Sequence, residues 1–149
     1  MRVALYIGDH KADTFSVRLG WALTRLVQKG TYSKVTHCEA ILDENPDGSV
    51  TIASASVRDG FCVRTKKNVF LTKENWIIHD KPEWDAEKAR AWFIQHDGEL
   101  YDWRGAGVCW LPVVWSMPNR HFCNESVGAP FIADPETLTP AQFAEVVMS

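Results

Sequence analysis

The sequence predicts a single α+β domain, with helices flanking an antiparallel sheet of about five strands. Strand-like segments bounded by turn signals follow one another between residues 34 and 65, the pattern of a meander. Apolar residues at helical spacing lie on either side of that stretch. The 149 residues fit one domain, and no internal repeat, low-complexity tract or linker divides residues 1–149.

Residues 2–8 (Arg-Val-Ala-Leu-Tyr-Ile-Gly) read as a short, mostly apolar strand ended by Gly8. Asp13 or Thr14 can cap a helix whose Phe15, Leu19, Ala22, Leu23, Leu26 and Val27 fall on one side. Gly30 stops it, because glycine takes the left-handed cap conformation without penalty. A strand over 34–42 follows, then a turn at Asn45-Pro46-Asp47-Gly48, a strand over Ser49–Ala55, a turn at Asp59-Gly60 and a strand over Phe61–Thr65. Asn75–His79 adds a further strand. Asp85 caps a second helix with Ala89, Trp92, Phe93 and His96 on one stripe and Gly98 at its end. Residues 99–120 hold no clear period. A short helix starts near Cys123 and is limited to about two turns by Gly128 and Pro130. Thr139-Pro140-Ala141-Gln142-Phe143 opens a capped terminal helix with proline in its first turn.

A net charge of −3 and a pI near 5.9 argue against a protein that holds nucleic acid by neutralising phosphates. No apolar run reaches the ~18 residues that suggest a membrane-spanning helix. The opening apolar stretch is too short for a signal peptide, so a cytoplasmic chain is expected. The four cysteines, Cys38, Cys62, Cys109 and Cys123, then read as free thiols, with Cys38 and Cys62 in the core on strands.

Alternate side chains on a strand face opposite ways, so His37, Glu39 and Ile41 share one face and Cys38, Ala40 and Leu42 the other. That disfavours His37 and Cys38 as joint ligands of one metal. With no C-x-x-C pair, and no standard spacing in a set that adds His121 and Cys123, the reading is that no metal is bound. His37 with Cys123 suits other chemistry. A cysteine at a helix N-terminus is favoured as thiolate, and a histidine within hydrogen-bond reach supplies the base.

Three segments, in order, resemble the circularly permuted branch of the NlpC-type papain-like amidohydrolases and cysteine peptidases. Thr31-Tyr32-Ser33-Lys34-Val35-Thr36-His37-Cys38-Glu39-Ala40-Ile41-Leu42 is similar to the family's "Y-S-H-V-G-I-V" strand, whose histidine is the base. Gly98-Glu99-Leu100-Tyr101-Asp102-Trp103-Arg104-Gly105 resembles its "G-x-x-Y-D-x-x-G" run. His121-Phe122-Cys123-Asn124-Glu125-Ser126-Val127 resembles "W/F-C-S-E-L-V", where the cysteine is the nucleophile. Thr139-Pro140 is similar to the family's "T-P-x-x-L" ending.

The resemblance implies a permuted papain-like fold and a cysteine hydrolase, a peptidase or amidase, acting on an amide or ester bond. Cys123 is then the nucleophile and His37 its base, with Tyr101 shaping the cleft or donating to the oxyanion. No cofactor is required, and the substrates implied are peptide, cell-wall or lipid-like acyl groups. The chain departs from the pattern in carrying Asn124 in place of the family's serine. The position that orients the imidazole falls among Thr51–Ser56, where Ser54 is the first choice and Glu39, on the His37 face, the other. Asp102 is read as a cap or loop brace, and Glu125 as a structural group in the first turn of the nucleophile helix. The uncharged run 106–118 either lines the core or walls the cleft through Trp110 and Trp115, where an apolar acyl group would lie. Two further functions fit the same residues, a non-catalytic binding or structural module and an acyltransferase.

Overall fold

A computed structural model describes residues 1–8, 29, 34–57, 59–60, 62–108 and 117–149. The expected helix through Phe15 to Val27, together with Cys109, Trp110 and Trp115, lies outside the described residues. The seven described strands are β1 (Arg2–Tyr6), β2 (His37–Glu44), β3 (Val50–Ser56), β4 (Cys62–Val69), β5 (Trp76–Asp80), β6 (Leu100–Tyr101) and β7 (Arg120–His121). They form one sheet in the order β5-β1-β2-β3-β4-β6-β7. All neighbours are antiparallel except β6 and β7, which run parallel. The sheet therefore exceeds the expected five strands. β6 and β7 span two residues each, too short for any alternation to register in sequence. The strand expected at Asn75–His79 is present as β5, and it pairs with β1 at the sheet edge.

Four helices are described: α1 (Ala86–Gln95), α2 (Trp103–Val108), α3 (Cys123–Gly128) and α4 (Pro140–Met148). Asp85 caps α1 by accepting from the Glu87 N–H at 2.8 Å. Thr139 and Gln142 form a reciprocal capping box at the start of α4. Both starts match the sequence reading. None of these helices is long and apolar enough to cross a membrane.

Strand alternation divides the interior. Cys38, Ala40 and Leu42 of β2, with Ala53, Ala55 and Val63, join Phe93, Phe122, Val127 and Phe143 in the main core. Ile41 and Ile52 join Ala4 and Val50 in a second cluster. His37 and Glu39 belong to the Ile41 side of β2 by the same alternation. Cys62 departs from its expected core position, being only half-buried at the mouth of β4.

Asp102 fills the bracing role expected of it. Its carboxylate, fully buried, accepts from the N–H groups of Arg104 at 3.0 Å, Gly105 at 2.8 Å and Met117 at 3.2 Å. This caps α2 and holds the chain leading into β7. The capping carboxylate also explains the glycine three residues on, because a Cβ on Gly105 would stand 2.7 Å from Asp102 Oδ2.

Candidate active site

α3 is short, and side chains fix its position. Glu125 Oε2 accepts the Phe122 N–H at 3.2 Å, closing the first turn as the sequence suggested. Ser126 Oγ accepts the β3 N–H of Ala55 at 2.9 Å and donates to the Cys123 carbonyl at 2.9 Å. Asn124 Nδ2 donates to the Leu138 carbonyl at 2.6 Å. All three side chains are buried, so α3 is anchored to the sheet and to the approach to α4. Its first residue is Cys123, 5% exposed.

Cys123 meets the opening of β2. Its thiol donates to Asn124 Oδ1 at 3.8 Å, and its sulfur stands close enough to Cys38 and His37 for both to act on its titration. The Cys38 side chain, opposed by burial, acts with His37 and its charge to hold the Cys123 thiol well below its usual pKa. Burial, and then the contact with Cys123, pushes the Cys38 thiol up. Cys38 is buried on the face expected for it, but it is not remote from the site: it lies against the Cys123 sulfur. α3 covers the Cys38 face of the sheet while its first residue reaches the end of the strand, where His37 begins.

The imidazole is held from its own strand. His37 Nε2 lies 2.8 Å from Glu39 Oε1, and Glu39 is fully buried. The roughly 7 Å between alternate residues on a strand is a backbone spacing. The two side chains lean along the strand and close it. Ser54, the first choice for this task, points its hydroxyl to the Ala55 carbonyl at 3.2 Å. Orienting the imidazole therefore falls to Glu39. Arg64 grips the same carboxylate with two bonds, of 2.9 and 2.8 Å, and reaches Asp59 at 3.0 Å. On the other side of His37, the Trp76 ring centroid is 6.4 Å away, and Trp76 packs edge-on against Tyr6 at 4.9 Å.

Burial alone would lower the His37 pKa, but the Glu39 charge and then the Cys123 hydrogen bond raise it to about 9. For Glu39, burial works upward, and the His37 charge followed by the Arg64 hydrogen bonds brings its pKa down to about 2. No family model, curated protein or solved structure matches the chain.

The Glu39 shift sets an expected acid limb of stability. An unfolded glutamate takes up its proton near pH ~4.3, whereas folded Glu39 does so at about 2. Between these values the unfolded chain binds more protons, so stability rises with pH. The contribution, on the order of 3 kcal/mol, is present above pH ~4.3 and lost as pH falls towards 2. Urea melts between pH 5 and pH 2.5 should show this loss, and Glu39→Gln should flatten it. Equal slopes in the two proteins would remove Glu39 from the account.

Tyr101 is buried in the same apolar cluster as Cys123, its ring edge-on to Trp103 at 5.3 Å. The two remaining sequence candidates, Trp110 and Trp115, lie outside the described residues. Sequence reasoning passed over Arg64, Asp59, Cys38, Ser126 and Trp76. One signal was present: a glutamate in mid-strand, between Cys38 and Ala40, needs an opposite charge if it is buried, and Arg64 is the cation on the strand expected at 61–65.

Proposed function

We propose that the protein is a cysteine hydrolase on a circularly permuted papain-like fold, cleaving an amide or ester bond through Cys123. The observation that carries this reading is a histidine clamped by a fully buried, arginine-paired carboxylate, with a buried cysteine thiol near enough for each to shift the other's titration. A base oriented by a third group is the arrangement that activates a thiol nucleophile. Glu39 beside His37 takes away one ground for the reading as a non-catalytic module, a third position filled only by serine, while the other ground, the short helix that carries Cys123, stands.

The Cys123 thiolate attacks the carbonyl carbon, and the oxygen's developing charge is met by the Cys123 N–H, with the Tyr101 hydroxyl as the second candidate donor. The carbon–nitrogen or carbon–oxygen bond breaks as the His37 imidazolium gives its proton to the leaving group. Water, deprotonated by His37, then attacks the thioester and frees the acid together with the thiol. Glu39 stays ionised throughout and stabilises the imidazolium. Peptide, cell-wall or lipid-like acyl groups are the proposed substrates. An acyl acceptor other than water would make the same cycle a transferase.

The test is an activated ester. p-Nitrophenyl acetate should leave an acetyl group on Cys123, visible by mass spectrometry as a modified peptide, and Cys123→Ser should lack it. With an amide substrate, whose leaving nitrogen must take a proton, turnover should fall as pH rises through about 9, where the His37 imidazolium is lost. Acetylation spread over lysines and the other cysteines, with none of it dependent on Cys123, would defeat the proposal.

A further inference from the structure

A second group of side chains lies beyond the Cys123–His37 pair. His96, Glu99 and His121 each offer one ligand atom, and these atoms lie within 4.8 Å of one another. The residues come from three places in the chain: the C-cap of α1, the residue before β6, and β7. We propose that His96, Glu99 and His121 form a binding site for a divalent transition-metal ion, best suited to Zn2+, with a fourth position left to water. This set differs from the combination of His37, Cys38, His121 and Cys123 considered on sequence spacing.

The surrounding hydrogen bonds prepare the two imidazoles for the role. His96 Nδ1 lies 2.8 Å from the Trp92 carbonyl oxygen. A carbonyl only accepts, so Nδ1 carries the hydrogen, and in the neutral ring Nε2 keeps a free lone pair. Stacking on Trp92, at 4.1 Å and 16°, fixes the plane of that ring. His121 stands between two carboxylates, with Nδ1 3.1 Å from Glu125 and Nε2 2.8 Å from Glu99. Glu125 is itself held, because its other oxygen accepts the Phe122 N–H.

An arriving cation would displace the proton from His121 Nε2 to solvent and take that nitrogen and Glu99 as ligands. The Nδ1 hydrogen would remain on Glu125. That is the carboxylate–histidine–metal arrangement in which an outer carboxylate fixes the tautomer and raises ligand basicity. Two carboxylates on one imidazole leave an excess of negative charge that a divalent ion neutralises. Two imidazoles, one carboxylate and one water satisfy zinc's tetrahedral preference. The Glu99 backbone is anchored on both sides, its N–H donating to the His96 carbonyl at 3.1 Å and its carbonyl accepting the Val63 N–H at 2.8 Å. All three residues are partly exposed, so an ion in solvent can reach them. Bound there, it would tie α1 and β6 to the turn that starts α3, adding to the core packing of Phe93 and Phe122. The site does not depend on Cys123 being a nucleophile.

The experiment is calorimetric titration of the full chain, stripped with a chelator, with ZnCl2 at mildly alkaline pH, where protons compete least for imidazole. Wild type and Cys123→Ala should each bind a single ion, and thermal melts should rise with zinc concentration. His96→Ala and Glu99→Gln should each weaken binding by at least ~10-fold. Co2+ in place of Zn2+ should give visible bands of a tetrahedral complex without thiolate charge transfer. Glu99→Gln, nearly isosteric, decides the matter if His96→Ala fails to fold. Absence of binding in wild type overturns the proposal. So does binding that vanishes in Cys123→Ala yet survives in Glu99→Gln, since the ion would then sit on the thiol and His37.

Discussion

Iodoacetamide should alkylate Cys123 near pH 6 about 100-fold faster than it alkylates an ordinary thiol, and His37→Ala should remove most of that advantage. A free thiol with a pKa of ~8.5 is roughly 0.3% thiolate at pH 6. Cys123, held well below its usual range by Cys38 and His37, carries a larger thiolate fraction at the same pH. Full ionisation would cap the gain in thiolate fraction at about 300-fold, and the rate gain is smaller because a less basic thiolate is a weaker nucleophile. Two cysteines in the same chain serve as references. Cys62 is half-buried, and Cys38 is buried with its thiol pushed up. Peptide mapping after brief labelling separates the three. Alkylation of Cys123 no faster than of Cys62, or an unchanged rate in His37→Ala, would mean that the histidine does not activate the sulfur.

Glu39→Ala should cost about 3–5 kcal/mol of stability, because it leaves Arg64 as a buried charge with half its hydrogen bonds gone. The loss is larger than the pair's own worth, since charges this far inside have already given up their hydration. Removing both partners, in Glu39→Met with Arg64→Met, should recover much of it. That variant should still lack fast labelling at Cys123, because His37 no longer has a carboxylate behind it. Urea unfolding of the three variants reads the stability, and iodoacetamide reads the site. A loss below ~1 kcal/mol in Glu39→Ala would place the carboxylate among weak surface ion pairs.

Much of this arrangement was legible in the chain itself, and particular residues show where legibility stopped. Turn chemistry at Asn45–Gly48 and Asp59-Gly60 marked the β2–β3 and β3–β4 connections, and Asp85 and Thr139 marked two helix starts. These signals are local, and the tertiary structure had no reason to override them. The strand period also placed His37 and Glu39 on one face. It could not say how far each side chain leans, and so Ser54 was preferred to the carboxylate that makes the contact. Cys38 was assigned to the correct face but given a core role alone. Its closeness to Cys123 depends on how α3 crosses the strand end, a packing fact with no local signature. The pairing of β1 with β5 is of the same kind, since it joins segments with most of the sheet between them in sequence.

The position of β1 bears on the order in which the chain can be assembled. It sits between β2 and β5, and both of these come later in the sequence. At synthesis rates of ~5–20 residues per second, the edge destined for β5 waits several seconds after β1 has emerged. An apolar strand with open edges can pair with another chain during that interval. The delay has a counterpart in the site. His37 is made early and Cys123 late, so the thiol meets its histidine only when the last strand pairings close. Such distant pairings make folding slow, on the scale of milliseconds to seconds. On the proposed function, a growing chain therefore carries no activated thiol, and reactivity arrives together with the completed sheet.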